Sequence, residues 1–171
     1  MDSPEIRLVT PDMPERIEAA RAIFREYASS LAVDLCFQGF DAELASLPGE
    51  YAEPQGLLLL ALVDGEVAAC GAFRPLADAD YANACEMKRL YVRRAYRRLG
   101  LGSLLARALM ERAAEAGYSS MLLDTLDEME AARELYTGLG FEEIPPYYYN
   151  PIPGAHYLKA ELSVVGRASC L

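Results

Sequence analysis

Residues 92–103 read VRRAYRRLGLGS, a basic turn with two glycines set between an apolar strand and an amphipathic helix. Gly100 and Gly102 lack a Cβ, so backbone N–H groups there can come close to a ligand, and the first amides of the following helix have no partner inside it. A helix start of this kind favours an anion, and Arg97 and Arg98 place full positive charges beside it. The stretch therefore reads as a phosphate-holding turn built from Arg97, Arg98, Leu99, Gly100, Leu101, Gly102 and Ser103. It departs from the dinucleotide fingerprint, which needs a third glycine, and from the P-loop, which ends Gly-Lys-Ser/Thr. An ordinary helix-opening turn also uses such residues, so the reading depends on its surroundings.

Residues 85–92 read as a strand delivered straight into the turn. Downstream, Leu101, Leu104, Leu105, Ala108, Leu109, Arg112 and Ala113 share one face of a helix over 101–116, which Gly117 stops. Further upstream, 56–63 and 66–76 flank Asp64-Gly65, whose residues tolerate the positive φ angles of a two-residue hairpin turn. The chain begins with a strand over 5–10. A helix opened by Asp12 and Pro14 follows, with Ile17, Ala20, Ile23, Phe24, Tyr27 and Leu31 at helical spacing, and then a shorter helix over 41–47. After the central helix come a short buried strand at 121–124, a helix over 128–139 ended by Gly140, and strands at 141–144 and 155–162. Tyr147, Tyr148 and Tyr149 are read as strand residues alternating between faces. The order is βααβββαβαββ, an α+β chain. We expect one domain over 1–171, with 163–171 a loose tail.

Hydrophobic residues make up 53% and charged residues 25%, the composition of a globular protein, and no apolar run reaches membrane-spanning length. The N-terminus, Met-Asp-Ser-Pro-Glu, has no basic segment followed by an apolar one, so a cytoplasmic location is the default expectation. A formal charge of −10, from 16 basic and 26 acidic side chains, argues against a general nucleic-acid binder. Five of those basic residues, Arg89, Arg93, Arg94, Arg97 and Arg98, crowd around the turn, which favours a small polyanion as ligand. Cys36, Cys70, Cys85 and Cys170 form no CxxC pair and have only His156 for company, so neither a metal site nor a disulfide framework is expected.

With that order in place, residues 86–141 resemble the GCN5-related N-acetyltransferase (GNAT) superfamily. Arg97, Gly100 and Gly102 match its Gln/Arg-x-x-Gly-x-Gly/Ala pyrophosphate loop, after the strand Leu90-Tyr91-Val92. Leu135, Tyr136, Gly140 and Phe141 match its second signature, Leu-Tyr followed after three residues by Gly-Phe. The resemblance implies a mixed, mostly antiparallel sheet of about seven strands between layers of about four helices. It also implies acetyl-coenzyme A as co-substrate, no metal, and transfer of the acetyl group to an amine by direct attack in a ternary complex. Arg94 and Arg98 stand where the family often has Pro and Gly. Met129 replaces an Asn often found seven residues before the tyrosine, which keeps alive a rival reading as an acyl-coenzyme A-binding regulatory module without transfer activity.

The resemblance assigns pairing with the cofactor's pantetheine arm to the backbone of Leu90 and Val92, between their strand and the one beginning near Met121. It gives Tyr136 the role of acid toward the departing thiolate, a role its phenol suits, although the same residue belongs to an apolar helical stripe. Glu86, fourteen positions before Gly100, matches the carboxylate base of the histone-acetyltransferase branch. On a strand it shares a face with Lys88, so a surface ion pair is an equal expectation. Asp124 can relay a proton or cap a turn, and a structural role is expected for His156. The acceptor, a small-molecule or peptide amine, is placed between the first helices and the last strands. There Asp34, Asp41, Glu43, Glu142 and Glu143 lie among aromatics and would suit an amine cation. A homodimer through the terminal strands follows from family habit.

Overall fold

In the stretch 57–63, LLLLALV, every residue is buried, which requires cover on both faces of its strand. The computed structural model, which describes residues 3–31, 39–77, 80–126 and 130–162, supplies that cover. Seven strands form one sheet in the order β1-β2-β3-β4-β5-β7-β6. They are β1 (Ile6–Val9), β2 (Leu57–Val63), β3 (Glu66–Leu76), β4 (Ala84–Val92), β5 (Ser120–Leu126), β6 (Glu142–Ile144) and β7 (Ala155–Glu161). Every pairing is antiparallel except β4 with β5. Helices α1 (Pro14–Ser30) and α2 (Phe40–Ser46) precede β2; α3 (Leu101–Glu115) and α4 (Glu130–Gly138) flank β5 in the chain.

The pleat divides β2 between two cores. Leu57, Leu59, Ala61 and Val63 pack with Leu105 and Leu109 of α3 and Tyr136 of α4. Leu58 and Leu60 pack with Ile23 and Phe24 of α1 and Leu44 of α2. Each fully buried Leu, Ile or Phe contributes roughly 1.5–3 kcal/mol, so these two layers hold the helices to the sheet. The β2–β3 turn places Asp64 at φ 49° and Gly65 at φ 85°, the mirror-image turn expected of Asp-Gly. The Asp64 carboxylate also accepts a bond from the Glu5 amide at 2.9 Å, which ties β1 to the hairpin.

The element order and sheet class match the expectation from the sequence, with two differences. First, β5 runs past Asp124 to Leu126 because β7 pairs with it as far as Leu126↔Ala155. Second, Tyr147, Tyr148 and Tyr149 are not on a strand but on the connection between β6 and β7. Pro145, Pro146, Pro151 and Pro153 deprive that connection of ladder donors, so it crosses the face instead of extending the sheet. Met129, Asp34, the expected start of the fourth helix at 128 and the 163–171 segment lie outside the described residues. Among the described residues no helix is long and apolar enough to cross a membrane.

Candidate functional site

The parallel pair β4–β5 is hydrogen-bonded only at its start, through Ala84↔Ser120, Cys85↔Met121 and Glu86↔Leu122. Beyond that point β4 stays with β3 as far as Ala69↔Val92, and β5 stays with β7 to its end. A groove therefore opens between 87–92 and 123–126. Along this groove β4 carries a bulge: Cys70 faces Tyr91 and Ala72 faces Lys88, so Gly71 stands against both Arg89 and Leu90. Arg89 takes φ 62°, unusual for a side chain of its size. A Cβ on Gly71 would lie 3.0 Å from both Leu90 and Leu109, so glycine lets these side chains close under the bulge.

Arg89 is held in that conformation from several directions. Its Nε and Nη2 donate to the two oxygens of Glu43 in α2 at 2.9 and 2.8 Å. The guanidinium lies 5.2 Å from the Phe40 ring centre, and the Arg89 carbonyl accepts from the Cys70 thiol at 3.2 Å. Arg89 therefore serves the sheet, not the basic turn, where its charge was counted from the sequence. Arg93 is likewise diverted, donating to Glu26 and to the Val67 carbonyl. Glu43, engaged by Arg89, is not available to an amine cation.

At the mouth of the groove, residues Arg94–Leu99 form a 3₁₀ turn and Gly100, at φ 71°, opens α3. The Leu104 amide is the first to bond back, to the Gly100 carbonyl, so the amides of Leu101, Gly102 and Ser103 point out of the helix start. Arg97 and Arg98 are exposed, and the Arg97 Nε donates to the Val92 carbonyl at 3.0 Å. Leu99 is exposed, whereas the Leu101 side chain is buried core, so only its backbone faces a ligand. Tyr91 stacks edge-on to Tyr27 and donates to Glu26, while Leu90 and Val92 pack toward α3. A Cβ on Gly102 would lie 3.5 Å from Leu135 and 3.8 Å from Val92, ordinary contacts that bring the two sequence signatures together.

Tyr136 is buried against Phe141 in edge-on contact, 5.6 Å between ring centres. Burial first, then the Tyr27 phenol and the Asp124 carboxylate, raise its pKa well above the ordinary phenol value. Tyr27 comes from α1 and Tyr136 from α4, packed with the cores on opposite faces of the sheet.

Glu86 is 1% exposed, which overturns the surface ion pair with Lys88. Its Oε1 accepts from the Arg74 Nε at 3.0 Å, and its Oε2 from the Tyr147 hydroxyl at 2.7 Å. Lys88 on the same face is also buried, and desolvation lowers its pKa. Asp124 caps no turn: it lies within β5 and accepts from the Tyr148 hydroxyl and, at 3.0 Å, from the Asn150 amide. Tyr157 donates to the Tyr148 carbonyl, and the rings of Tyr147, Tyr148 and Tyr157 pack within 5.4–5.6 Å of one another. Burial followed by the nearby carboxylates raises the pKa of Tyr147 and Tyr148. Tyr149 is 83% exposed. His156 pairs with Glu143 on the surface at 2.8 Å. Sequence reasoning missed Arg74, Tyr147, Tyr148 and Asn150 as partners of Glu86 and Asp124; Pro145-Pro146 ahead of the tyrosines was the one local sign that they leave the sheet.

A groove between parting parallel strands, with a glycine-opened helix at its mouth, is joined by a direct match: the profile of the Acetyltransferase (GNAT) family covers residues 18–141. The chain belongs to the GNAT family. An uncharacterized N-acetyltransferase of Schizosaccharomyces pombe is 38% identical over 164 residues, spanning 95% of this chain and 99% of that one. The fold matches a GNAT-family acetyltransferase from Staphylococcus aureus with a TM-score of 0.73, at 18% identity over 93% of this chain and 100% of that one. It also matches yncA from Salmonella typhimurium, a structure containing its cofactor acetyl-coenzyme A, with a TM-score of 0.68 at 20% identity and 95% coverage of each chain. As a GNAT protein the chain is an acyl-coenzyme A-dependent N-acetyltransferase, the enzyme class expected from its two signatures.

Proposed function

We propose that this enzyme moves an acetyl group from acetyl-coenzyme A to a primary amine of a small molecule, an amino acid-like compound or a peptide, by direct attack in a ternary complex. The observation that carries the reading is the parting of β4 from β5 after Glu86↔Leu122, with the α3 amides at the open end. Gly100 and Gly102 leave that end free of Cβ atoms, so the amides of Leu101, Gly102 and Ser103 suit a pyrophosphate, with Arg97 and Arg98 beside them. The backbone of Leu90, Tyr91 and Val92 is available to pair with an extended amide-bearing arm, as an added strand would. Acetyl-coenzyme A supplies the thioester.

The remaining steps fall to side chains around the groove. The amine nitrogen forms the new C–N bond, the C–S bond breaks, and Tyr136 gives its proton to the leaving sulfur. Burial favours its neutral, protonated form, which an ordinary phenol already holds at neutral pH. Glu86 is the acceptor for the proton lost by nitrogen. Arg74 and Tyr147 hold both of its oxygens, so the proton passes along the Tyr147 hydroxyl or replaces that bond. The test is thiol release from acetyl-coenzyme A across a panel of amines. Release that depends on one class of amine supports the reading; binding of acetyl-coenzyme A without release from any amine would favour the regulatory module.

A further inference from the structure

Under α2 lies a cavity of about 270 Å3 that none of the roles above uses, lined by Glu43, Ser46, Glu50, Tyr51 and Arg74 among others. Tyr51 is 2% exposed, and among the described residues its hydroxyl has no hydrogen-bond partner. A buried hydroxyl left unpaired is costly and persists where a ligand will engage it. Burial raises the phenol's pKa, and Glu43 beside it raises it further; the Glu43 oxygens accept from Arg89, and a bond from the Tyr51 hydroxyl to one of them is the alternative that the Tyr51 variant below tests.

Arg74 connects this cavity to the groove. One side of its guanidinium holds the buried Glu86, while Nη1 donates to Glu50 at 2.9 Å. The Glu50 side chain is 66% exposed, and exposed pairs contribute little, so another carboxylate displaces it readily. The displaced Glu50 carboxylate then turns to solvent, where its charge is screened.

We propose that the cavity binds a carboxylate of the acceptor, held by Arg74 Nη1 and the Tyr51 hydroxyl where Glu50 sits in the free protein. The acceptor is then an amino acid or another carboxylate-bearing amine, with its nitrogen at Glu86. This deepens the acetyltransferase reading and rests on it for the position of the amine.

Two measurements decide it. Thermal shifts of the free protein with each of the twenty L-amino acids and with the matching amides need no acetyl-coenzyme A, so they test the cavity separately from the transfer reaction. Stabilisation by one or more acids and not by their amides is expected; equal shifts, no shifts, or a preference for the amides would overturn the proposal. In the thiol-release assay, Tyr51→Phe should raise KM for the acids about tenfold relative to the amides. The same variant should raise the Tm of the free protein by a few degrees, because it removes an unpaired buried hydroxyl. A lowered Tm would mean that the hydroxyl is already satisfied and would also overturn the proposal. Glu50→Gln should lower KM for the acids, and a raised KM would contradict the displacement step.

Discussion

Replacing Glu43 by alanine removes the carboxylate that takes two bonds from the Arg89 guanidinium, whose side chain is 2% exposed and lies beside Phe40. Breaking a buried pair from one side costs about 3–5 kcal/mol, because the survivor keeps its desolvation penalty and loses its compensation. For a chain of this length each kcal/mol lowers Tm by about 2–4 °C, so a drop on the order of 10 °C is expected. Glu53→Ala makes the control, since the Glu53–Arg112 pair is about half exposed and worth roughly 0–1 kcal/mol. Urea denaturation followed by circular dichroism measures both. The consequence reaches the groove as well, because Arg89 at positive φ lies in the bulge that β4 carries along it. Glu43→Ala, kept well below its Tm, should therefore bind acetyl-coenzyme A more weakly in calorimetry than Glu53→Ala does. A loss of under about 1 kcal/mol would refute the burial argument. A large loss of stability with unaltered affinity would refute the link between the bulge and the groove.

Tyr136→Phe keeps the ring against Phe141 and removes the proposed acid, so turnover should fall by about 10²- to 10⁴-fold with acetyl-coenzyme A affinity retained; wild-type turnover would remove that role. Gly100→Ala meets open space but must hold φ 71°, so it should cost about 1 kcal/mol in denaturation. Gly102→Ala, in the first turn of α3 with only ordinary contacts, should leave stability level or slightly raised, and any weakened cofactor binding then belongs to the ligand's approach. Stability should fall in alkali: burial pushes the Tyr27 phenol and the Cys85 thiol each up to about 12. Their contributions are complete below the unfolded-state values, about 10 and about 8.5, and are lost as pH climbs toward the folded ones. Urea midpoints that stay level from pH 9 to pH 11 would contradict this.

Much of the architecture was legible because it is written in local periods. The Asp64-Gly65 turn, the wholly apolar run over 57–63 and the stripe on α3 are each read within one element, and they recover the strand and helix order. The glycine turn was legible for the same reason. The inside of the groove was not, because its geometry depends on partners far apart in sequence. Arg89 and Glu43 are 46 positions apart, and Glu86 and Tyr147 are 61 apart. Nothing local to Arg89 distinguishes it from the arginines of the turn, so its charge was assigned to the wrong place. Glu86 reads equally as a base and as half of a surface pair until Arg74 and the proline-bounded tyrosine segment are seen to bury it.

Calorimetric titration with acetyl-coenzyme A, coenzyme A and 3′,5′-adenosine bisphosphate tests the groove and its helix-start cradle most directly. The first two should bind tightly, the bisphosphate more weakly because it cannot lie along β4, and Gly102→Val should weaken all three. Failure of acetyl-coenzyme A to bind, or affinity for the bisphosphate equal to that for the whole cofactor, would contradict this role of the groove.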